Sequence, residues 1–431
     1  MDSILIQGGT PLIGEVVVSG SKNASLPIMA SCLLTEEPLR ISNIPKLSDI
    51  RIMGKLLESL GTKIVFEDQP DDSFSLELAS HSIQNYTAVY DIVRKMRASI
   101  WVLGPLLSRF GKAKVSLPGG CAIGARQVDL HIDVMESMGA EIKIYGGYIH
   151  AHNNNKRLQA CDFTFSKVSV GATINAILAA TLADGTTFLS NCAKEPEIID
   201  LCNCLNKMGA EISGIGTRNI KIIGKEKLSG TNHRVIPDRI EAGTYMIAAA
   251  ATRGNITLLG INYDMVENLA SKIKEAGVSI THNENSVQVK HSGIIKPVDV
   301  STESYPGFST DFQAQFMCLM VFASGISNIS ENIFENRFMH VPELCRMGAK
   351  ITINGNCAKV EGLGLGNNSL AGAEVMASDL RASVSLIIAG LCAKGETKVR
   401  RVYHLDRGYQ SLEKKLRNCG AKIARITGDT V

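Results

Sequence analysis

Along this chain, apolar residues gather into runs that open on a polar or charged cluster and close on a turn containing glycine. Six of these runs are apolar nearly all round, the pattern of a buried helix and not of a surface one. They begin at Ser21-Lys22-Asn23, Arg94-Lys95-Met96-Arg97, Ser166-Lys167-Val168-Ser169, Asp238-Arg239, Thr310-Asp311 and Asp379-Leu380-Arg381. A turn and a short β-branched strand follow, as in Ala183-Asp184-Gly185-Thr186 and Arg253-Gly254-Asn255-Ile256-Thr257. Next comes an amphipathic stretch that ends on a recurring pentad. Its copies are Leu60-Gly61-Thr62-Lys63-Ile64, Met138-Gly139-Ala140-Glu141-Ile142, Met208-Gly209-Ala210-Glu211-Ile212, Ala276-Gly277-Val278-Ser279-Ile280, Met347-Gly348-Ala349-Lys350-Ile351 and Cys419-Gly420-Ala421-Lys422-Ile423. Successive glycines lie 78, 70, 68, 71 and 72 residues apart. Each glycine is expected just past a helix end, in the left-handed conformation, with a strand directly after it. The period predicts an α/β protein of six βαβαββ repeats, grouped as two domains of three.

Five of the six helix starts carry Lys or Arg. Ser, Thr and Asp at these places are ordinary caps, but the helix dipole disfavours a cation at an N-terminus. A charge at the end of a buried helix needs water or a partner. Together they point to an anion among the helix ends, where unpaired N–H groups also favour negative charge. One loop departs from the repeat. The turn-to-glycine distance is 24, 23, 23 and 25 residues in repeats three to six, but 28 from Gly111 to Gly139 in repeat two. The excess falls at Pro118-Gly119-Gly120-Cys121-Ala122-Ile123-Gly124-Ala125-Arg126, a glycine-rich insertion that carries a thiol and an arginine. Inserted loops on a rigid framework are where binding and catalysis concentrate, and a thiol beside a cation is poised to react.

Composition narrows the function class. With 431 residues, 45% hydrophobic and 20% charged, the chain is a soluble globular protein of more than one domain. A net charge of +3 points to neither nucleic acid nor membrane, and the longest apolar runs are too short to span a bilayer. Eleven cysteines behind an N-terminus that is no signal peptide fit reduced thiols in a cytoplasmic setting. Cys202 and Cys204, two apart on a helix, are expected on different faces. No His/Cys cluster has zinc-ligand spacing and no carboxylate cluster suits Mg²⁺, so no metal is expected. The domain boundary falls near Val235. The first twenty residues supply strands that the C-terminal half lacks, which gives domains of 22–235 and of 1–21 with 236–431. Two chain crossings between domains favour a cleft that closes on ligand.

The motifs resemble those of the enolpyruvyltransferase family, to which EPSP synthase belongs, and within it the branch that uses UDP-N-acetylglucosamine. The matching stretches are Gly20 to Ala24, Met96 to Trp101, Pro118 to Arg126 with Val128-Asp129-Leu130-His131, Lys167 to Thr173, Pro237 to Glu241, Thr310 to Phe316, Phe334 to His340, Asp379 to Ser383 and Asp406 to Tyr409. They span the whole chain. Gln127 stands where well-known members have proline beside the uracil. The resemblance implies two inverse α/β barrels, each of three βαβαββ repeats. It also implies transfer of the enolpyruvyl group from phosphoenolpyruvate to the 3-hydroxyl of UDP-N-acetylglucosamine by addition and elimination, with release of phosphate. This is the first committed step of peptidoglycan precursor synthesis.

The resemblance assigns roles residue by residue. Cys121 is the proton donor to C3 of the enol and a site of covalent adduct formation. Asp311 is the base near the sugar hydroxyl, with an N-capping role as the alternative. Lys22, Arg126 and Arg407 clamp phosphoenolpyruvate, with Asn23 beside them; for Arg407 the alternative is an ion pair with a neighbouring carboxylate. Arg97, Arg126, Gln127, Val128, Asp129 and Leu130, with Lys167, Val168, Ser169, Val170 and Gly171, contact the nucleotide sugar. Ile333 offers a backbone contact, and Arg337, Asp379 and Arg381 are cleft residues. Trp101 packs within its helix or touches substrate, and His131 supports the loop. The partners are these two small molecules, with no cofactor; the oligomeric state is left open. Rival readings are a sister enzyme acting on shikimate 3-phosphate, an RNA 3′-phosphate cyclase and a catalytically silent paralogue. Cys121 in its loop and the Lys167 to Gly171 run favour the nucleotide sugar. The cyclase needs a nucleotidylated histidine that no motif supports. Lys22, Cys121 and Asp311, all present, argue against the silent paralogue.

Overall fold

The six repeat glycines all adopt the left-handed conformation, with φ of 113° at Gly61, 87° at Gly139, 98° at Gly209, 92° at Gly277, 102° at Gly348 and 92° at Gly420. A Cβ is strained there, so glycine ends the helix and releases the strand behind it. The helix Ser48–Leu60 thus gives way to the strand Lys63–Asp68, and Asp129–Ser137 to Glu141–Tyr145. The computed structural model describes residues 2–117, 128–154, 157–291, 293–364 and 369–428.

The described strands form six four-stranded sheets of one topology. In the second repeat, Thr87–Ala88 runs parallel to Lys112–Ser116, which pairs antiparallel with Tyr148–His152, itself antiparallel to Glu141–Tyr145. A buried helix makes the parallel crossover and an amphipathic one follows, so the repeat is βαβαββ. The chain termini and the crossing points share strands between distant segments. Asn232–Arg234 lies parallel to Leu39–Ile44 and so opens the sheet of the first repeat. Ser3–Gln7 inserts between Glu396–Arg400 and Lys422–Ile426, while Ile13–Val17 runs parallel to Asn255–Leu259. The first twenty residues therefore serve two repeats, the sixth and the fourth.

The described residues divide into two compact units, one from Ser19 to Ile236 and one from Pro237 onward together with the residues up to Val18. Each has its own apolar core around three buried helices. In the first these are Lys22–Ser31, Leu103–Phe110 and Val170–Ala180; in the second, Arg239–Ala251, Gln313–Met320 and Leu380–Cys392. The helix of the second repeat opens later than its polar cluster suggests. Arg94 and Lys95 are exposed behind the short helix Tyr90–Val93, and the buried helix starts as a 3₁₀ turn at Arg97–Val102. Cys202 and Cys204 both lie fully buried on Pro196–Lys207, which is covered on two sides. Burial pushes both thiols up to about 12, and all ten described cysteines are free. None of the described helices is long and apolar enough to cross a membrane.

Candidate active site

In the 237–428 unit, the starts of the three buried helices and the loop 331–337 bring charge together. Asp238 accepts from the N–H groups of Ile240 and Glu241, and Asp379 from those of Arg381 and Ala382, so each caps the helix that presents an arginine. Arg239, Arg337 and Arg381 are all buried. Asp311 takes no capping role: Ser309 caps its turn, accepting from the Asp311 N–H at 3.2 Å. Its Oδ1 instead accepts from Arg381 Nε at 2.9 Å and from Arg337 Nη2 at 3.1 Å. Burial resists ionisation of this carboxyl, but the charges of Arg381 and Arg337, the hydrogen bond from Arg381 and the field of Arg239 outweigh it. The Asp311 pKa is held well below the carboxylate range.

Oδ2 of Asp311 accepts no hydrogen bond from any described residue. The side chain stays 29% exposed, so a ligand hydroxyl can reach it. Arg337 Nε is buried without a partner among the described residues. Behind Arg381, Tyr409 Oη accepts from its Nη1 at 3.0 Å and lies 3.0 Å from Thr244 Oγ1. A carboxylate held so low is a weak base. It orients a hydroxyl, and proton transfer to it must coincide with bond formation at that oxygen, when the hydroxyl is most acidic.

Ile333 follows on the 331–334 turn. Its N–H donates to Glu331 Oε1 at 2.9 Å, which leaves the carbonyl as the backbone group open to a ligand. Arg407 closes the turn Val402–Arg407 and is partly exposed. Its neighbour Asp406 is gripped at both oxygens by Arg425, at 2.6 and 3.0 Å.

The 19–236 unit is built differently. Lys22 starts its helix behind the Ser21 cap, and its Nζ lies 3.2 Å from Oδ2 of the buried Asp49. Asn23 sits half-buried in the same turn. Ser169 Oγ caps the helix Val170–Ala180 by accepting from the Ala172 N–H at 3.3 Å. The N–H groups of Val170 and Gly171 have no partner among the described residues. Lys167 is exposed and Val168 half-buried beside them. Trp101 Nε1 donates to the Gly171 carbonyl at 3.2 Å, across to the neighbouring helix. His131 lies beneath: a Cβ on Gly171 would stand 3.3 Å from its Cε1 and Nε2. Asn175 Nδ2 donates to His131 Nδ1 at 3.1 Å and to the Ile100 carbonyl at 3.2 Å, while Asn175 Oδ1 accepts from the Gly104 N–H at 2.8 Å. Burial, then the charge of Arg97, lowers the His131 pKa to about 4. The ring is therefore neutral, with its proton on Nε2. Arg97 opens the 3₁₀ turn above it, half-buried; Val128 is half-buried, Asp129 exposed and Leu130 buried at the head of Asp129–Ser137.

Cys121, Arg126 and Gln127 lie outside the described residues. Among the described residues no group of three His, Cys, Asp or Glu is placed to hold a metal. Asp49 and Glu331 escaped the sequence reading, while Arg239 and Tyr409 lay in stretches it named without a role of their own. Arg239 had a local signal, since Asp238-Arg239 opens its helix as Asp379 and Arg381 open theirs.

The family model described as EPSP synthase (3-phosphoshikimate 1-carboxyvinyltransferase) matches residues 6–416. Proteins named UDP-N-acetylglucosamine 1-carboxyvinyltransferase are similar over the whole length. That of Rickettsia bellii is 61% identical over 426 residues, 99% of this chain and 100% of its own, and that of Rickettsia peacockii is 60% identical over 427. Among solved structures, the enolpyruvyl transferase NikO from Streptomyces tendae superposes with a TM-score of 0.88 at 25% identity, covering 99% of both chains. EPSP synthase from Acinetobacter baumannii shares the fold, with a TM-score of 0.76 at 17% identity over 99% of this chain and 100% of its own.

Proposed function

The chain belongs to the EPSP synthase family, and from that premise we propose that it transfers the enolpyruvyl group of phosphoenolpyruvate to the 3-hydroxyl of UDP-N-acetylglucosamine in peptidoglycan precursor synthesis. Full-length identity of 61% to a protein named for this transfer carries the reading. The geometry supports it at Asp311, an ionised carboxylate with one oxygen open beside two arginines.

The reaction runs in two halves. In the addition, the 3-hydroxyl oxygen bonds to C2 of phosphoenolpyruvate while C3 gains a proton; in the elimination, the C2–O bond to phosphate breaks and C3 gives the proton back. Asp311 Oδ2 orients the hydroxyl and accepts its proton as the C2–O bond forms. Cys121 delivers the proton to C3. Lys22, Asn23, Arg126 and Arg407 hold the carboxylate and phosphate of phosphoenolpyruvate, Arg by its paired donors. The Val170 and Gly171 N–H groups, with Lys167, receive the diphosphate of the nucleotide sugar. Arg97, Gln127, Val128, Asp129, Leu130, Val168, Ser169 and Ile333 line its path. Arg337 and Arg381 keep Asp311 charged, and Asp379 holds the helix end that presents Arg381. Free thiols at the described cysteines and a nucleotide-sugar substrate support a cytoplasmic setting.

A shikimate 3-phosphate acceptor is the second reading, favoured by the family's being described as 3-phosphoshikimate 1-carboxyvinyltransferase. The test is acceptor-dependent phosphate release. Phosphoenolpyruvate with UDP-N-acetylglucosamine should release phosphate, and with shikimate 3-phosphate should not; silence with the first at millimolar concentration, or release with the second, overturns the proposal. Fosfomycin should add its mass to the Cys121 peptide and to no other.

A further inference from the structure

Glu331 is a buried carboxylate, 3% exposed, just past the strand Ile326–Ser330. No cation pairs with it among the described residues, although Arg337 lies on the same loop. Burying an ionised carboxylate without a counter-charge is costly unless neutral donors fill its lone pairs. Four do so. Oε1 accepts from Thr302 Oγ1 at 3.0 Å, the Ile333 N–H at 2.9 Å and the Phe334 N–H at 3.1 Å, and Oε2 accepts from Thr310 Oγ1 at 2.8 Å. Thr310 immediately precedes Asp311, and its carbonyl accepts from Arg337 Nη2 at 3.4 Å.

We propose that Glu331 is a positioning residue for the acceptor hydroxyl: through Thr310 and the Ile333 N–H it holds Asp311 and the 331–334 turn in one fixed relation. This rests on the enolpyruvyl reading, which assigns both Asp311 and Ile333 to the acceptor. A residue that only stabilised the loop would be better served by an apolar side chain or a paired charge. A four-donor carboxylate fixes direction as well as distance, with three donors converging on Oε1 and the Thr310 hydroxyl alone on Oε2. Losing the Thr310 link frees the turn Thr310–Phe312 to shift by a fraction of an ångström, and displacement on that scale is enough to slow an oriented reaction by one to two orders of magnitude, roughly.

The test compares Glu331→Gln, Thr310→Val and the double variant with wild type. Gln keeps the shape but turns a donor towards the Thr310 hydroxyl; Val keeps the β-branch and removes the link alone. Each single variant should lower kcat by about tenfold to a hundredfold, with the KM for phosphoenolpyruvate within about threefold of wild type. The double variant should be no slower than the worse single, because both cut one link. If Glu331→Gln does not fold, Thr310→Val reads the same link. Single variants with wild-type kcat overturn the inference, as does a double variant whose losses multiply. A wild type without turnover overturns the enolpyruvyl reading and this inference with it.

Discussion

Asp311 and the run Ser169 to Gly171 hold equivalent places, each at the opening of a buried helix of its repeat, yet they are built on opposite principles. Around Asp311 the structure buries three arginines, Arg239, Arg337 and Arg381, and the Asp311 carboxylate braces the last two. Around Ser169 the hydrogen-bonding groups among the described residues are neutral: an indole N–H, an amide, a neutral imidazole and a hydroxyl cap. Fixed charge inside a protein persists only where counter-charge or a full set of hydrogen-bond donors holds it. A carboxylate that must be ready before substrate arrives therefore needs arginines at hand. A site whose ligand brings its own negative charge needs bare N–H groups and no competing carboxylate. The difference is the difference between a residue that reacts and a surface that receives.

Breaking the charged side should cost most. Arg381→Ala removes one arginine from Asp311 and the donor to Tyr409, and should lower stability by about 4 kcal/mol in denaturant unfolding. A loss under about 1 kcal/mol would mean that Arg337 alone suffices.

Acid separates the two regions by pH. His131 is neutral in the folded protein with its pKa lowered to about 4, against 6.5 in the unfolded chain. The unfolded state thus binds the extra proton first. The contribution of His131 is complete above about pH 6.5 and disappears as pH falls to about 4, a change of about 3 kcal/mol. His340, also lowered to about 4, by burial first, with the charge of Asp379 working against the shift and that of Arg337 with it, follows the same course in the other unit. Asp311 acts in a lower window. Its pKa is depressed, so its contribution is present above about pH 4 and is lost only below it. Stability measured from pH 7 to pH 4 should fall with a slope of up to two protons from these two histidines, to which His291 and His404, also lowered by burial, add, and His131→Gln should remove about one proton of it. An unchanged slope would mean that His131 is charged or exposed.

Two smaller changes probe the neutral side. Asn175→Ala leaves the Gly104 N–H and His131 Nδ1 without their buried partner, and should cost about 2 kcal/mol. Gly171→Ala brings a methyl to 3.3 Å from a buried ring held by Asn175. It should cost under about 1 kcal/mol, since alanine is otherwise the better helix former. Its clearer mark should be a rise of a few fold in the KM for UDP-N-acetylglucosamine, with kcat unchanged.

Much of this frame was legible from local chemistry. The glycines at helix ends, the β-branched strands behind them and the apolar helices with polar starts are all fixed by neighbours within a few residues. What escaped was long-range. Asn232–Arg234 pairs with Leu39–Ile44 across most of a unit, and the first twenty residues divide between two sheets. Periodicity marks a strand but not its partner. At the site, the polar helix starts and the family motifs picked out Asp311, Arg337 and Arg381, but only folding joins residues 26 and 70 positions apart at one oxygen. Asp49 and Glu331 look like any surface acid in the sequence, because their burial depends on elements elsewhere in the chain.

The central claim is that Asp311, held ionised with Oδ2 open, receives the acceptor hydroxyl. Asp311→Asn keeps the shape and removes the charge, so single-turnover phosphate release from phosphoenolpyruvate and UDP-N-acetylglucosamine tests it directly. The account predicts stoichiometric release by the wild type and a rate lower by about a thousandfold in the variant, with UDP-N-acetylglucosamine still bound. Release by the variant within about threefold of wild type would contradict it.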